Sequence, residues 1–449
     1  MDGNSATLFA KTPPIKLFFL AALPGAVSML ASALYQTLDG VFVGQYLGET
    51  AFAALNLAMP FVIINFALAD LIGVGSSVPI AVSLGRGEER EAHNIFSCSV
   101  LLIVLAGLVS GALLYILAPT LMSAMGAEGE FALLAGQYLR VYAICSPVTT
   151  LVFAMDNYLR ICGYIRGSMW LNILMSTLSG VLEFLFLGVF RFGIWGAALA
   201  TCLGMAVCAL IALIPFLRGR ALLHFTRPRM SAKMLKQIVA CGSPNFLNNI
   251  AGRITSIIMN AILVRTGGET AVSVYGILMY VDGFVQPLLY GMCDSLQPAV
   301  GFNWGARMFS RVRAIERCCF GASAVVALCS AVLIVIMPEL ITRLFVSNPE
   351  PSVMAMSAGA LRLFALTYIT RWFSFATQSY MLAIEKPLAA SLISVSTALI
   401  FPVILIAILW PLGLTGIWIN FPATSLLAGV MSFIILRRLK PQLNRADGE

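Results

Sequence analysis

Apolar residues run along this chain in long blocks separated by short polar segments. Twelve blocks can be drawn, over 15–44, 51–83, 94–118, 131–157, 168–190, 193–217, 237–264, 270–303, 314–338, 354–384, 388–411 and 413–436. Each reaches or exceeds the roughly 20 residues that a helix needs to cross a hydrocarbon core at about 1.5 Å per residue. A backbone in lipid must satisfy its own hydrogen bonds, so the blocks predict helices rather than strands. The divisions at 191–192 and 412 leave loops of only one or two residues. The pattern predicts an all-α membrane protein with twelve transmembrane helices.

Composition supports that class. Of 449 residues 60% are hydrophobic and 11% charged, against roughly 25% charged in a soluble domain. The net charge of +8 would suit nucleic acid, but its placement suits a bilayer. With the N-terminus inside, 21 of the 28 Lys and Arg fall in cytoplasmic segments and three, Arg191, Arg265 and Arg343, in outer loops. The remaining four, Arg140, Arg253, Arg362 and Arg371, lie within spans. This positive-inside bias places both termini in the cytoplasm, in a cell inner (plasma) membrane, and requires an even helix count. The polar stretch ahead of 15–44, and the length of that span, predict no cleavable signal peptide.

The blocks repeat. A shift of 220 residues carries Pro24 onto Pro244, Ala31 onto Ala251, Gly48-Glu49-Thr50-Ala51 onto Gly268-Glu269-Thr270-Ala271, and Gly85 onto Gly305. The shift becomes 222 for Leu139-Arg140 on Leu361-Arg362 and returns to 220 for Gly193 and Gly196 on Gly413 and Gly416. Six helices per copy is even, so the copies share one orientation and form a parallel repeat, as in transporters that rock two halves for alternating access. The halves are an N-lobe over 1–217 and a C-lobe over 237–438. A basic cytoplasmic linker at 218–236 joins them, and a tail follows at 439–449. Pro24 and Pro244 hold the same place in both copies, where a missing helical hydrogen bond makes a candidate hinge.

Chemistry-bearing residues are few. Ten cysteines show no metal-site spacing and read as buried free thiols. His93 and His224 are the only histidines, both in predicted loops. No nucleotide-binding loop appears, and neither a cofactor nor an enzymatic centre is expected. Carboxylates inside spans are costly and therefore functional candidates. Counting from the outer span ends, Asp39 lies about 8 Å deep, Glu183 about 10 Å and Thr201 about 12 Å. Two carboxylates and a hydroxyl at one depth provide oxygen ligands for Na⁺, or a pair that shares a proton. Glu183 could instead be the structural partner of nearby Arg191. In the second half Arg253 and Asp282, on consecutive helices about 16 and 18 Å from the outer face, read as a salt bridge or as substrate-cavity residues. Arg371 and Asp70 are also deep and find no partner by sequence alone.

Five blocks carry a family resemblance. They are DGVFVGQYLG from Asp39, VPIAVSLGRGEEREA from Val78, LRICG from Leu159, GIWGAALAT from Gly193 and QPAVGFNWGARMFSRVRA from Gln297. In this order the chain resembles the multidrug and toxic compound extrusion (MATE) family, in its bacterial MepA- and DinF-like branch, from about residue 15 to 438. The resemblance implies two six-helix lobes and efflux of drugs coupled to H⁺ or Na⁺ entry. It implies an ion-coupling role for Asp39, which matches an Asp late in the family's first helix. The DinF-like branch adds Asn-x-x-x-Asp in helix five and Thr in helix six, where this chain has Ser179, Glu183 and Thr201. NorM-like members bear an acid in helix seven, where this chain has Ala251, Gly252 and Arg253, so coupling is expected in the first half. The expected function is antiport of amphipathic organic cations by a monomer. The rival expectations are a lipid-linked saccharide flippase of the same superfamily and a non-transporting receptor or channel.

Overall fold

The computed structural model describes residues 5–345 and 351–445. Among them no strand occurs. A short helix, α1 (Ser5–Lys11), precedes the long ones: α2 (Pro14–Leu47), α3 (Glu49–Gly85), α4 (Glu89–Ala124), α5 (Gly129–Ile161), α6 (Ile165–Glu183) and α7 (Ile194–Leu217). After the linker comes α8 (Ala232–Gly305), broken at Gly268. Then follow α9 (Phe309–Ile336), α10 (Pro338–Phe345), α11 (Pro351–Ala365), α12 (Thr367–Ala383), α13 (Pro387–Val395), α14 (Phe401–Leu409) and α15 (Gly413–Arg445).

Ten of the described helical stretches are long and apolar enough to cross a membrane, and eleven if α11 and α12, bent by 41°, count as one span. One of the ten, Pro387–Leu439, is 53 residues long. Gly413 lies within it at φ 58, outside helical geometry. Large apolar side chains face outward all along these helices: Leu388 is 81% exposed, Ile116 71% and Ile257 69%. Patches this extensive suit lipid and not water.

The chain forms two compact units. One is built on Val27–Phe246, the other on Pro13–Ala26 with the chain from Leu247 onward. Each unit therefore takes the opening stretch of the other's first long helix. The changeovers fall two residues after Pro24 and two after Pro244. In the first unit α5 is central, packing on α3, α4, α6 and α7. Its inward face carries Tyr138, Leu139, Tyr142, Ser146 and Thr150, all buried. In the second, α12 packs on α9, α13 and α15.

The repeat is visible in turn chemistry. Gly48 (φ 87) and Gly268 (φ 63) turn the chain between long helices, as do Gly193 (φ 76) and Gly413 (φ 58). Each pair is 220 residues apart. Left-handed φ is cheap only for glycine, so a near-loopless turn is encoded by a single residue type.

Glycines also let backbones touch. A Cβ on Gly242 would lie 1.9 Å from the Leu71 carbonyl oxygen, and one on Gly75 2.2 Å from that of Ile238. In the other unit a Cβ on Gly291 would lie 2.5 Å from the Gly25 carbonyl oxygen. The exchanged segments are thus seated by helix crossings that admit no side chain.

Candidate functional site

The first unit brings two of the acidic residues of its spans, Asp39 and Glu183, together. Asp39 follows Tyr35 by one turn on α2. Glu183 is the last residue of α6, where the helix widens to π geometry over Phe184–Val189. Such widenings are frequent at functional sites because they displace a side chain from the regular face. Ser179 sits one turn before Glu183, and Gly204 of α7 is pressed against it: a Cβ there would lie 2.1 Å from Ser179 Oγ. Thr201 occupies the same face of α7 one turn earlier and hydrogen-bonds the Tyr35 hydroxyl. Asp39 is 4% exposed, Glu183 0%, Ser179 1% and Thr201 3%.

Burial at this level normally demands partners. Here Asp39 Oδ1, both carboxylate oxygens of Glu183, Ser179 Oγ and the Tyr138 hydroxyl have none. The two carboxyls lie close enough to act on each other, and tyrosines surround them, Tyr35 above all. Arg191, weighed from sequence as a partner of Glu183, is exposed, whereas Glu183 is fully enclosed. Two adjacent buried carboxylates cannot both stay charged without a counter-charge, since desolvation alone costs several kcal/mol per ion. The arrangement therefore accommodates a proton, or a small cation held by carboxylate, serine and threonine oxygens. Among the described residues no group of three or more His, Cys, Asp or Glu could hold a metal ion.

Sequence reasoning missed the tyrosines. Tyr35, Tyr138 and Tyr142 are buried around the carboxyl pair. The available signal was spacing: Tyr35 is four residues before Asp39, and Tyr138 and Tyr142 are four apart on α5.

The second unit corrects one expectation. Asp282 does not pair with Arg253. Its two oxygens take Arg371, at 2.8 Å from Nη1 and 3.2 Å from Nη2, and the Tyr368 hydroxyl donates to it at 2.7 Å. A bidentate fork and a phenol fill the inner face of the carboxylate, and Arg253 is exposed instead. Beside the pair is a cavity of about 50 Å³ lined by Asn248, Gln286, Tyr290, Arg371, Ser374 and Gln378 among others. Elsewhere in the first unit, Asp156 is held by Arg160 at 2.6 Å and by Asn172 at 2.8 Å. Asp294 accepts from Gln297 at 2.7 Å and from Ser379 at 3.2 Å. All ten cysteines are free thiols.

Comparison with known proteins extends over nearly the whole chain. Multidrug export protein MepA of Staphylococcus aureus (strain NCTC 8325 / PS 47) is 24% identical over 443 residues, 97% of each chain. The MepA of Staphylococcus haemolyticus (strain JCSC1435) is 22% identical over 439 residues, 97% of this chain and 96% of that one. Solved structures share the fold. A MATE protein in complex with MaL6 superposes with a TM-score of 0.92 at 24% identity, covering 98% of this chain and 99% of that one. An outward-facing multidrug resistance MATE family transporter superposes with a TM-score of 0.90 over the same shares, also at 24% identity. The MatE family model matches twice, over residues 24–185 and 244–408, once in each copy of the internal repeat. The chain belongs to the MatE family of multidrug efflux transporters and is a transporter, not an enzyme.

Proposed function

We propose that this protein is a secondary active antiporter. It exports amphipathic organic cations in exchange for H⁺ or Na⁺, by alternating access between an N-lobe (1–217) and a C-lobe (237–438). The proposed frame is a monomer of twelve helices in the plasma membrane. Both termini, the linker 218–236 and the tail 439–449 are cytoplasmic; residues 446–449 lie outside the described ones. The observation that carries the reading is the enclosed Asp39–Glu183 pair, in which Asp39 Oδ1 and both Glu183 oxygens find no hydrogen-bond partner. Loading it with a proton or Na⁺ from outside removes its negative charge, which disfavours a bound cation and releases it outward. Unloading inside restores the charge and readies the site for the next cation. Thr201 and Ser179 supply neutral oxygens, and the relation to MepA supports multidrug export.

Counting Gly413 as a break separates 387–412 from α15 and supports twelve spans. Arg253, Asp282 and the cavity beside Arg371 are proposed as substrate-facing in the second lobe, and Pro24 and Pro244 as hinges.

The test is efflux of a fluorescent organic cation from vesicles, with a pH gradient and a Na⁺ gradient imposed separately. Efflux driven by at least one gradient is expected. Gradient-independent movement, or transport of lipid-linked saccharide and of no cation, would overturn the reading.

A further inference from the structure

The two histidines belong to neither site. The linker segment 221–230 lies along the first turns of α4 and is fastened residue by residue. Asn94 donates from Nδ2 to the Arg229 carbonyl at 3.0 Å and accepts the Arg229 N–H at 2.8 Å. Ser97 Oγ accepts the Thr226 N–H at 2.8 Å. The Phe96 and Phe225 rings pack with centroids 4.9 Å apart. At the end of this row the His224 N–H donates to His93 Nδ1 at 3.3 Å. The two imidazoles stack with centroids 5.2 Å apart and planes 4° from parallel.

We propose that His93 and His224 form a proton-sensitive latch, which holds the linker on α4 at neutral pH and releases its His224 end on acidification. The chemistry follows from which atom accepts. His93 Nδ1 can take the His224 N–H only while it carries no proton, so the neutral ring keeps its hydrogen on Nε2. A proton added at Nδ1 sets donor against donor and breaks the bond. A second proton, on His224, would place two cations face to face. Imidazole ordinarily titrates near pH 6.5; burial, and after it His224, hold His93 below that value with Glu89 opposing, so the latch opens on the acid side of it.

The titratable groups facing His93 are His224 from the linker and Glu89 one turn earlier on α4. Glu89 attracts charge onto His93, whereas a charged His224 would oppose it. The Asn94 and Ser97 fastenings do not titrate, so the response is confined to the His224 end. That end lies on the path from α7 into Ala232–Phe246, the segment whose Gly242 is seated against Leu71. The inference does not depend on which ion drives transport.

Hydrogen–deuterium exchange on the full chain in nanodiscs tests it, at pH 7.5 and 5.5 with intrinsic rates corrected. Amides of 223–226 are expected to lose protection about fivefold or more at the lower pH, roughly the equivalent of one net hydrogen bond, with 227–230 changing less. His93→Gln keeps a neutral acceptor at both pH values and is expected to abolish the response. His224→Phe keeps the stack and the backbone donor and is expected to retain it, because His93 still titrates. Equal protection at both pH values in the wild-type protein, or a wild-type response in His93→Gln, would overturn the latch. Should His93→Gln fail to fold, the wild-type and His224→Phe responses still decide.

Discussion

The carboxyl pair of the first unit gives the sharpest expectations for single residues. Asp39→Asn keeps the shape and removes the charge, so gradient-driven efflux is expected to fall to the background of protein-free vesicles, with folding and insertion retained. Glu183→Gln is expected to be nearly as severe, and Glu183→Asp to keep partial rate, since a carboxylate remains with shorter reach. Thr201→Ala removes one neutral oxygen and the Tyr35 hydrogen bond, and should act more mildly. Initial efflux rates at matched membrane expression check all four; a wild-type rate for Asp39→Asn under both gradients would sink the mechanism. The second unit calls for a stability cycle instead. Asp282→Asn or Arg371→Met alone leaves a poorly compensated buried partner, a loss of about 3–5 kcal/mol for a buried pair, discounted here because Arg371 is a quarter exposed. Replacing both with apolar residues of similar volume should recover much of the loss, read as thermal unfolding in detergent. Asp39 and Glu183 stand out in the sequence because a carboxylate in an apolar run is conspicuous and the span ends fix its depth; Thr201 shares that depth, and Ser179 enters only through the family resemblance. Depth does not fix direction around the helix axis. Arg253 and Asp282 share a depth, yet the fork reaching Asp282 comes from Arg371, 89 residues away. The tyrosines around the pair were missed because a tyrosine is ordinary in an apolar span.

Among elements, the crossings at Gly242 and Gly291 decide how the exchanged segments are seated. Gly242→Ala forces its Cβ to within 1.9 Å of a backbone oxygen that cannot swing away, unlike a flexible side-chain tip. The helices must separate, losing contact along the crossing. Gly242→Ala and Gly291→Ala are each expected to lower the unfolding temperature measurably, while Gly136→Ala, with open space at the same test, should be neutral. Similar unfolding temperatures for Gly242→Ala and Gly136→Ala would contradict the crossing. Apolar blocks predicted these long helices well because lipid admits little else for a spanning backbone. They could not predict the exchange of 13–26 and 232–246 between units, because an apolar helix carries no label of the bundle it joins. The π widening after Glu183 was equally silent: FLFLGV reads as ordinary helix. The 41° bend between α11 and α12 was hidden too, since no proline marks Leu366.

For the molecule as a whole, the number of crossings and the side of the membrane are one question. On the proposed twelve-span reading each half is an even set, and Gly413 stands 220 residues after Gly193 with the same left-handed backbone. Were Pro387–Leu439 a single crossing, the spans would number an odd eleven and the C-terminus would lie outside. Arg437, Arg438, Lys440 and Arg445, at and beyond its last residues, would then move four of the 21 basic residues assigned inside to the outer face, against the positive-inside bias. A helix of 53 residues would also be about 80 Å long, against a hydrocarbon core of roughly 30 Å. Two crossings joined at Gly413 remove both difficulties. A fluorescent protein that matures only in the cytoplasm, fused after Glu449, is therefore expected to be bright, and alkaline phosphatase at the same point inactive. The same phosphatase fused in the turn at Gly413 should be active, because that turn faces outward when both termini face inward. A bright phosphatase signal at Glu449 would overturn the even count, the parallel repeat and the orientation together.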